Sequence, residues 1–178
     1  MTTSQKKSVV RSIRITQELD DLIRGDAEDR GLTVNALISS VLSKYAEWDR
    51  YADRFGFVTI TRDGFRSFIE AIEDEKLIEI AEELGARNPR EMTLFWFKRL
   101  NLETFLQYLS IYSRYGRIGE YEVETRQEGH TITFHHDLGS KYSLLLARFL
   151  KQALQTIARV SPELSVGENA LAIRFASP

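Results

Sequence analysis

The stretch that most limits how this chain can fold lies between Val10 and Ile15. On an extended backbone Val10, Ser12 and Arg14 fall on one side and Arg11, Ile13 and Ile15 on the other, because successive strand side chains point to opposite faces. One face is then mainly apolar, the other polar and basic. So short a strand cannot bury its apolar face alone: it needs a pairing partner and helices to sit on. The next strand candidate in the chain lies beyond Phe55, past two helical patterns, so the economical partner is the same segment of a second copy.

The two helical patterns fit that demand. Leu19, Leu22 and Ile23 recur at helical spacing, with Glu18, Asp20 and Asp21 enriching the first turn in acid, where the helix dipole favours it. Gly31 is placed to stop this helix, and Thr33 is a suitable N-cap for a second one whose stripe is Leu37, Ile38, Val41, Leu42 and Tyr45.

The order strand, helix, turn, helix, carried by SIRITQELDDLI and GLTVNALISSVLSKY, resembles the ribbon-helix-helix DNA-binding proteins of the MetJ, Arc and CopG type over about residues 9–48. The resemblance implies an intertwined dimer whose two strands form an antiparallel ribbon in the major groove of double-stranded DNA. It implies base contacts from Arg14, whose fork matches the two acceptors of guanine, and from Ser12 and Val10. Thr33, Val34 and Asn35 would offer backbone amides to a phosphate, and Lys6, Lys7 and Arg11 would add salt-sensitive attraction. Arg11 departs from the family, which usually carries an apolar residue there. Either the buried part of the ribbon starts at Ile13, or the register slips by one and exchanges the faces; two isoleucines in phase with the helical stripes favour the first.

Composition agrees in its distribution rather than its total. The net charge is -2, but residues 1–16 carry Lys6, Lys7, Arg11 and Arg14 with no acid, which focuses positive charge on the proposed ribbon. The chain of 178 residues has no cysteine, which excludes disulfides, thiolate catalysis and cysteine metal sites. With no apolar run near the length of about 18 residues that a membrane helix needs and no signal-peptide core in Met1 to Arg14, the expectation is a soluble, cytoplasmic prokaryotic protein that does not meet a membrane.

Past residue 50 the pattern changes. The second helix is expected to continue through Trp48, Tyr51 and Phe55 as a connector over 51–56, ahead of an α+β domain over 57–178. Within that domain Phe57–Thr61 reads as a strand, Asp63–Ile72 and Asp74–Leu84 as helices with Gly85 as a stop, and Asn88-Pro89 as the start of another through Lys98. An aromatic helix from Leu102 to Tyr115 follows, then a hairpin of 120–125 with 130–136, a helix over 141–158 and a hairpin of 163–166 with 170–175. Helices on one face of an antiparallel sheet are the expected arrangement.

His130, His135 and His136 beside Asp137 are the one plausible metal or acid–base constellation in the sequence. Strand parity puts His130 and His136 on one face with Ile132 and Phe134 and His135 on the other, which splits the set, and no ligand spacing supports it. The commoner reading is polar hairpin-end residues, with Asp137 or Ser140 capping the next helix. Tyr108, Tyr112, Tyr115 and Tyr121, interleaved with Arg114 and Arg117, suit a pocket for an anionic or planar effector, although aromatic residues at helical spacing are more often core. The sequence thus points to a non-enzymatic, cofactor-free homodimeric transcriptional regulator or repressor. Its second domain would sense a small molecule or mediate assembly, with further association on DNA as a family expectation. The alternatives are an antitoxin-type autoregulator whose second part binds a partner protein, and a histidine-based metalloregulator.

Overall fold

The computed structural model describes residues 9–117, 119–126 and 128–176, and the chain divides into two units, Met1–Tyr51 and Ala52–Pro178. It is α+β: helices and one four-stranded antiparallel sheet. No helix among the described residues is long and apolar enough to cross a membrane.

In the first unit, α1 (Gln17–Asp29) starts where Thr16 Oγ1 accepts the Leu19 amide at 3.3 Å. It ends in a paired closure: the Gly31 N–H donates to the Glu28 carbonyl and the Leu32 N–H to the Ala27 carbonyl, with Gly31 at φ +63°. Thr33 Oγ1 then accepts from the Ala36 N–H at 3.1 Å and opens α2 (Val34–Lys44). The helical path continues through a π turn at Tyr45–Asp49 into α3 (Arg50–Phe55).

Val9–Ile15 forms no strand in the single chain, which corrects the expected ribbon at the level of one copy. The reason is the one that made the segment informative: strand hydrogen bonds need a neighbour, and one chain supplies none. Phe57–Thr61 is also not a strand. Its last residue instead caps α4 (Arg62–Glu70), Thr61 Oγ1 accepting the Gly64 amide at 3.2 Å.

The second unit is built on two long helices. The expected stop at Gly85 and new start at Pro89 are both overturned, because α5 runs unbroken from Asp74 to Phe97. Leu77, Ala81, Gly85, Pro89 and Thr93 are buried at every fourth position and form one slanted ridge. The opposing helix α7 (Ser140–Ala158) buries Leu146, Ala147, Leu150, Ala153 and Leu154. At the crossing a Cβ on Gly85 would stand 2.3 Å from the Phe149 carbonyl oxygen. Gly85 is therefore a contact residue, and Pro89, which forgoes a hydrogen bond to the Gly85 carbonyl, lies in the same buried ridge without ending the helix.

Between these helices in sequence lie α6 (Leu102–Gly116), opened by a capping box of Asn101 and Thr104, and the hairpin β1 (Glu120–Arg126) and β2 (Gly129–His135). After α7 come β3 (Glu163–Val166) and β4 (Ala170–Phe175), and the strand order is β1-β2-β4-β3. Ile132 and Phe134 of β2 pair with Ile173 and Leu171 of β4, and all four are buried in one core with Leu77, Phe105 and Leu150. Phe55 stacks on Trp96 at 5.2 Å between ring centres, and Tyr108 donates to Met92 Sδ at 3.2 Å, so these aromatic side chains belong to the core.

The closeness of α5 to α7 has a measurable consequence. Gly85→Ala forces the two helices apart or the Phe149 backbone out of place, and is expected to lower unfolding free energy by about 3 kcal/mol in urea denaturation. Thr93→Val, by contrast, replaces a buried hydroxyl without a hydrogen-bond partner and is expected to raise it by about 1 kcal/mol.

Candidate functional site

The residues singled out for DNA contact lie on an exposed, extended segment and at one helix start. Val10 is 91% exposed, and Arg11, Ser12 and Arg14 are exposed as well. Lys6 and Lys7 lie outside the described residues. Thr33, Val34 and Asn35 form the start of α2, where the first amides of a helix have no partner within it. The Ala36 amide is already taken by Thr33 Oγ1, so the amides left to an anion are those of Val34 and Asn35.

Around this segment the first unit exposes its apolar residues to an unusual degree. Ile13 and Leu22 are 69% and 70% exposed, Val41 and Leu42 59% and 62%, and Leu19, Leu32 and Tyr45 are exposed too. Only Ala27, Leu37 and Trp48 are buried among the described residues of the unit. The helices that the sequence marked by apolar stripes are formed and capped, yet Leu19, Leu22, Val41, Leu42 and Tyr45 of those stripes stay exposed.

The histidines do not converge. His130 sits on β2, with Nδ1 3.0 Å from Thr125 Oγ1 and its ring against Phe175. His135 is exposed at the end of the strand. His136 lies just past it and is half-buried, edge-on to Tyr142 at 4.8 Å. Its ring nitrogens are both engaged: the Leu138 N–H donates to Nδ1 at 3.2 Å, so the proton resides on Nε2 and is donated to Ser143 Oγ at 2.8 Å. The buried Ser143 hydroxyl in turn donates to the Glu168 carbonyl at 3.0 Å. No group of three or more His, Asp or Glu side chains is arranged for a metal among the described residues.

This network locks the β3–β4 turn to the start of α7. The His136 N–H donates to the Asn169 carbonyl at 3.0 Å, and the Gly139 N–H to Asn169 Oδ1 at 2.9 Å. Neither Asp137 nor Ser140 caps the helix; Gly139 holds the cap position and its amide is satisfied by Asn169. Asp137 points elsewhere, accepting from the Arg62 guanidinium with its carboxylate and from Arg66 with its carbonyl. Arg62 holds the Asp137 carboxyl below its ordinary 3.8. Sequence reading missed Arg62, Ser143 and Asn169 as partners of this corner. No signal could have found them, since Asp137 and Arg62 are 75 positions apart and the pairing follows from how α4 packs near the start of α7.

Between these elements lies a cleft of about 420 Å³, lined by Arg62, Ser113, Arg117, His135, His136 and Asp137 together with Gly119 and Glu120. Arg117, placed in the sequence beside the tyrosines, thus does face a cleft, while Tyr108 and Tyr112 do not line it. No family model matches the chain, and no curated protein matches it.

Burial holds the His136 imidazole below its ordinary 6.5; repulsion from His135 acts in the same direction and Asp137 opposes it. A histidine depressed on folding binds its proton more tightly in the unfolded chain, so the stability it contributes is present above 6.5 and is lost as pH falls through the folded value. Unfolding free energy is therefore expected to decline as the pH falls below the ordinary histidine value of 6.5. His136→Phe should flatten that limb and, by orphaning the Leu138 amide and the Ser143 hydroxyl, cost about 2 kcal/mol at neutral pH in the same denaturation series.

Proposed function

We propose that the chain is a sequence-specific DNA-binding transcriptional regulator that acts as a dimer. Residues 9–15 of two copies pair as an antiparallel ribbon-helix-helix ribbon for the major groove, and the second unit senses a ligand or mediates assembly. The observation that carries this reading is the uncovered apolar surface of α1 and α2, next to a strand-like segment without a partner.

Magnitudes favour a second copy. Burying a Val, Leu or Ile side chain stabilises by about 1.5–3 kcal/mol, and Ile13, Leu22, Val41 and Leu42 alone offer four such chains per copy. Two copies together then gain at most about 12–24 kcal/mol, of the same order as or above an association cost of about 4–15 kcal/mol. Pairing the two copies of Val9–Ile15 also satisfies strand amides that one chain leaves open. The ribbon register keeps Arg14 and Ser12 outward, where a guanidinium suits guanine and a hydroxyl suits either acceptor or donor.

The second unit has a closed core, which favours sensing or assembly over a disordered tail that folds only on a toxin. The metalloregulator reading finds no support in the histidines, because the nitrogens of His136 are committed to Leu138 and Ser143.

Sedimentation equilibrium is expected to give a dimer, and selection from a random DNA library a preferred sequence. Arg14→Ala should remain dimeric and lose discrimination for that sequence by about 1–3 kcal/mol, while Arg11→Ala should weaken all sequences alike and reduce the salt dependence by about one phosphate contact. Leu22→Asp with Leu42→Asp should give a monomer that no longer binds DNA. A wild-type monomer, or unchanged discrimination in Arg14→Ala, overturns the reading.

A further inference from the structure

The cleft at the start of α7 carries a charge pattern that its own fold does not use. Arg62 and Asp137 are paired with each other, so their charges cancel. Arg117 and Glu120 line the same cleft, are exposed, and have no ion-pair or hydrogen-bond partner for their side chains among the described residues. The Ser113 hydroxyl of α6 donates to the Gly119 carbonyl, which ties that helix to the residue just before β1.

We propose that this cleft binds a small zwitterion of the α-amino acid class, its carboxylate toward Arg117 and its ammonium toward Glu120. Charge counting selects the class. Arg62 and Arg117 against Glu120 and Asp137 leave the lining neutral, so a simple anion attracted by Arg117 meets the repulsion of Glu120, and a simple cation the converse. A molecule carrying both charges satisfies both unpaired side chains at once, Arg117 offering a planar fork matched to a carboxylate. At about 420 Å³ the cleft is near the small end of ligand pockets, which run from about 300 to 1,000 Å³. The exposed His135 and the ordered His136–Asp137 corner form the remaining wall, where an amino-acid side chain is read.

The site deepens the reading of the second unit as a sensing domain and rests on it. The test uses the whole chain without DNA. Each of the free L-amino acids is titrated at millimolar concentration while the melting temperature is followed, with acetate and ethylammonium as probes that carry one charge each. The expected result is a saturable rise with at least one amino acid, a far smaller one with acetate or ethylammonium, and shifts of the Gly119 and His136 amide signals in ¹⁵N NMR. Arg117→Gln and Glu120→Gln, both at exposed positions, should melt as the wild type does without ligand and each bind about tenfold more weakly. No saturable response to any amino acid, an equal response to acetate alone, or undiminished binding by both variants overturns the proposal. Operator binding is measured separately: a chain that binds an amino acid but no DNA refutes the regulator, and one that binds DNA but no amino acid refutes this site.

Discussion

The space that Gly85 leaves empty governs the second unit. Helix α7 lies so near α5 that the Phe149 carbonyl occupies the place of a side chain, and the two helices share most of the buried ridge from Leu77 to Thr93. α7 also packs against β3 and β4, and Ile132, Phe134, Leu171 and Ile173 of the sheet share one buried core with it. The corner where β2 turns into α7 is then held at a fixed depth, half inside the core. That depth is what desolvates His136 and leaves room for a cleft just outside it.

The two units solve the burial problem differently. Residues 52–178 close a core around α5 and α7, and their apolar periodicity is nearly all consumed inside the unit. Residues 9–51 form their helices and leave the stripes open. Caps and turns account for the helices themselves, through Thr16, Thr33 and the closure at Gly31. Such local interactions each contribute about 1 kcal/mol, which is enough to fix where a helix starts and ends and far too little to hold a domain together.

Elements whose signals are local were legible in the sequence. Thr33 announced α2 because its oxygen is within reach of an amide three residues on, and both hairpins were placed by alternating patterns around short polar turns. Gly85 and Pro89 were misread because the same residues that end a helix in water are tolerated, or required, where another helix packs against them. The helix start at Gly139 was misread for a related reason: its amide is satisfied by Asn169, thirty positions away, rather than by a neighbour. Of the candidate sites, strand parity correctly separated His135 from Ile132 and Phe134, but the partners of His136 and Asp137 depend on tertiary placement that no spacing encodes.

Strand propensity gives the sharpest contrast. Val10–Ile15 and Phe57–Thr61 are both rich in β-branched residues and both alternate, and neither is a strand. Phe57–Thr61 is anchored at its two ends, by the Phe57 ring against Tyr112 and by the Thr61 cap on α4, and these contacts fix its path although Val58 and Ile60 stay exposed. Val10–Ile15 has only the cap at Thr16 behind it, and although Ile15 is half-buried, Val10 and Ile13 stay exposed. A β-branched run expresses its preference only when a neighbouring backbone takes up its amides. For Phe57–Thr61 other contacts have replaced that neighbour, whereas for Val10–Ile15 no described backbone takes that place, and Ile13 stays exposed together with Leu22, Val41 and Leu42 of the two helices.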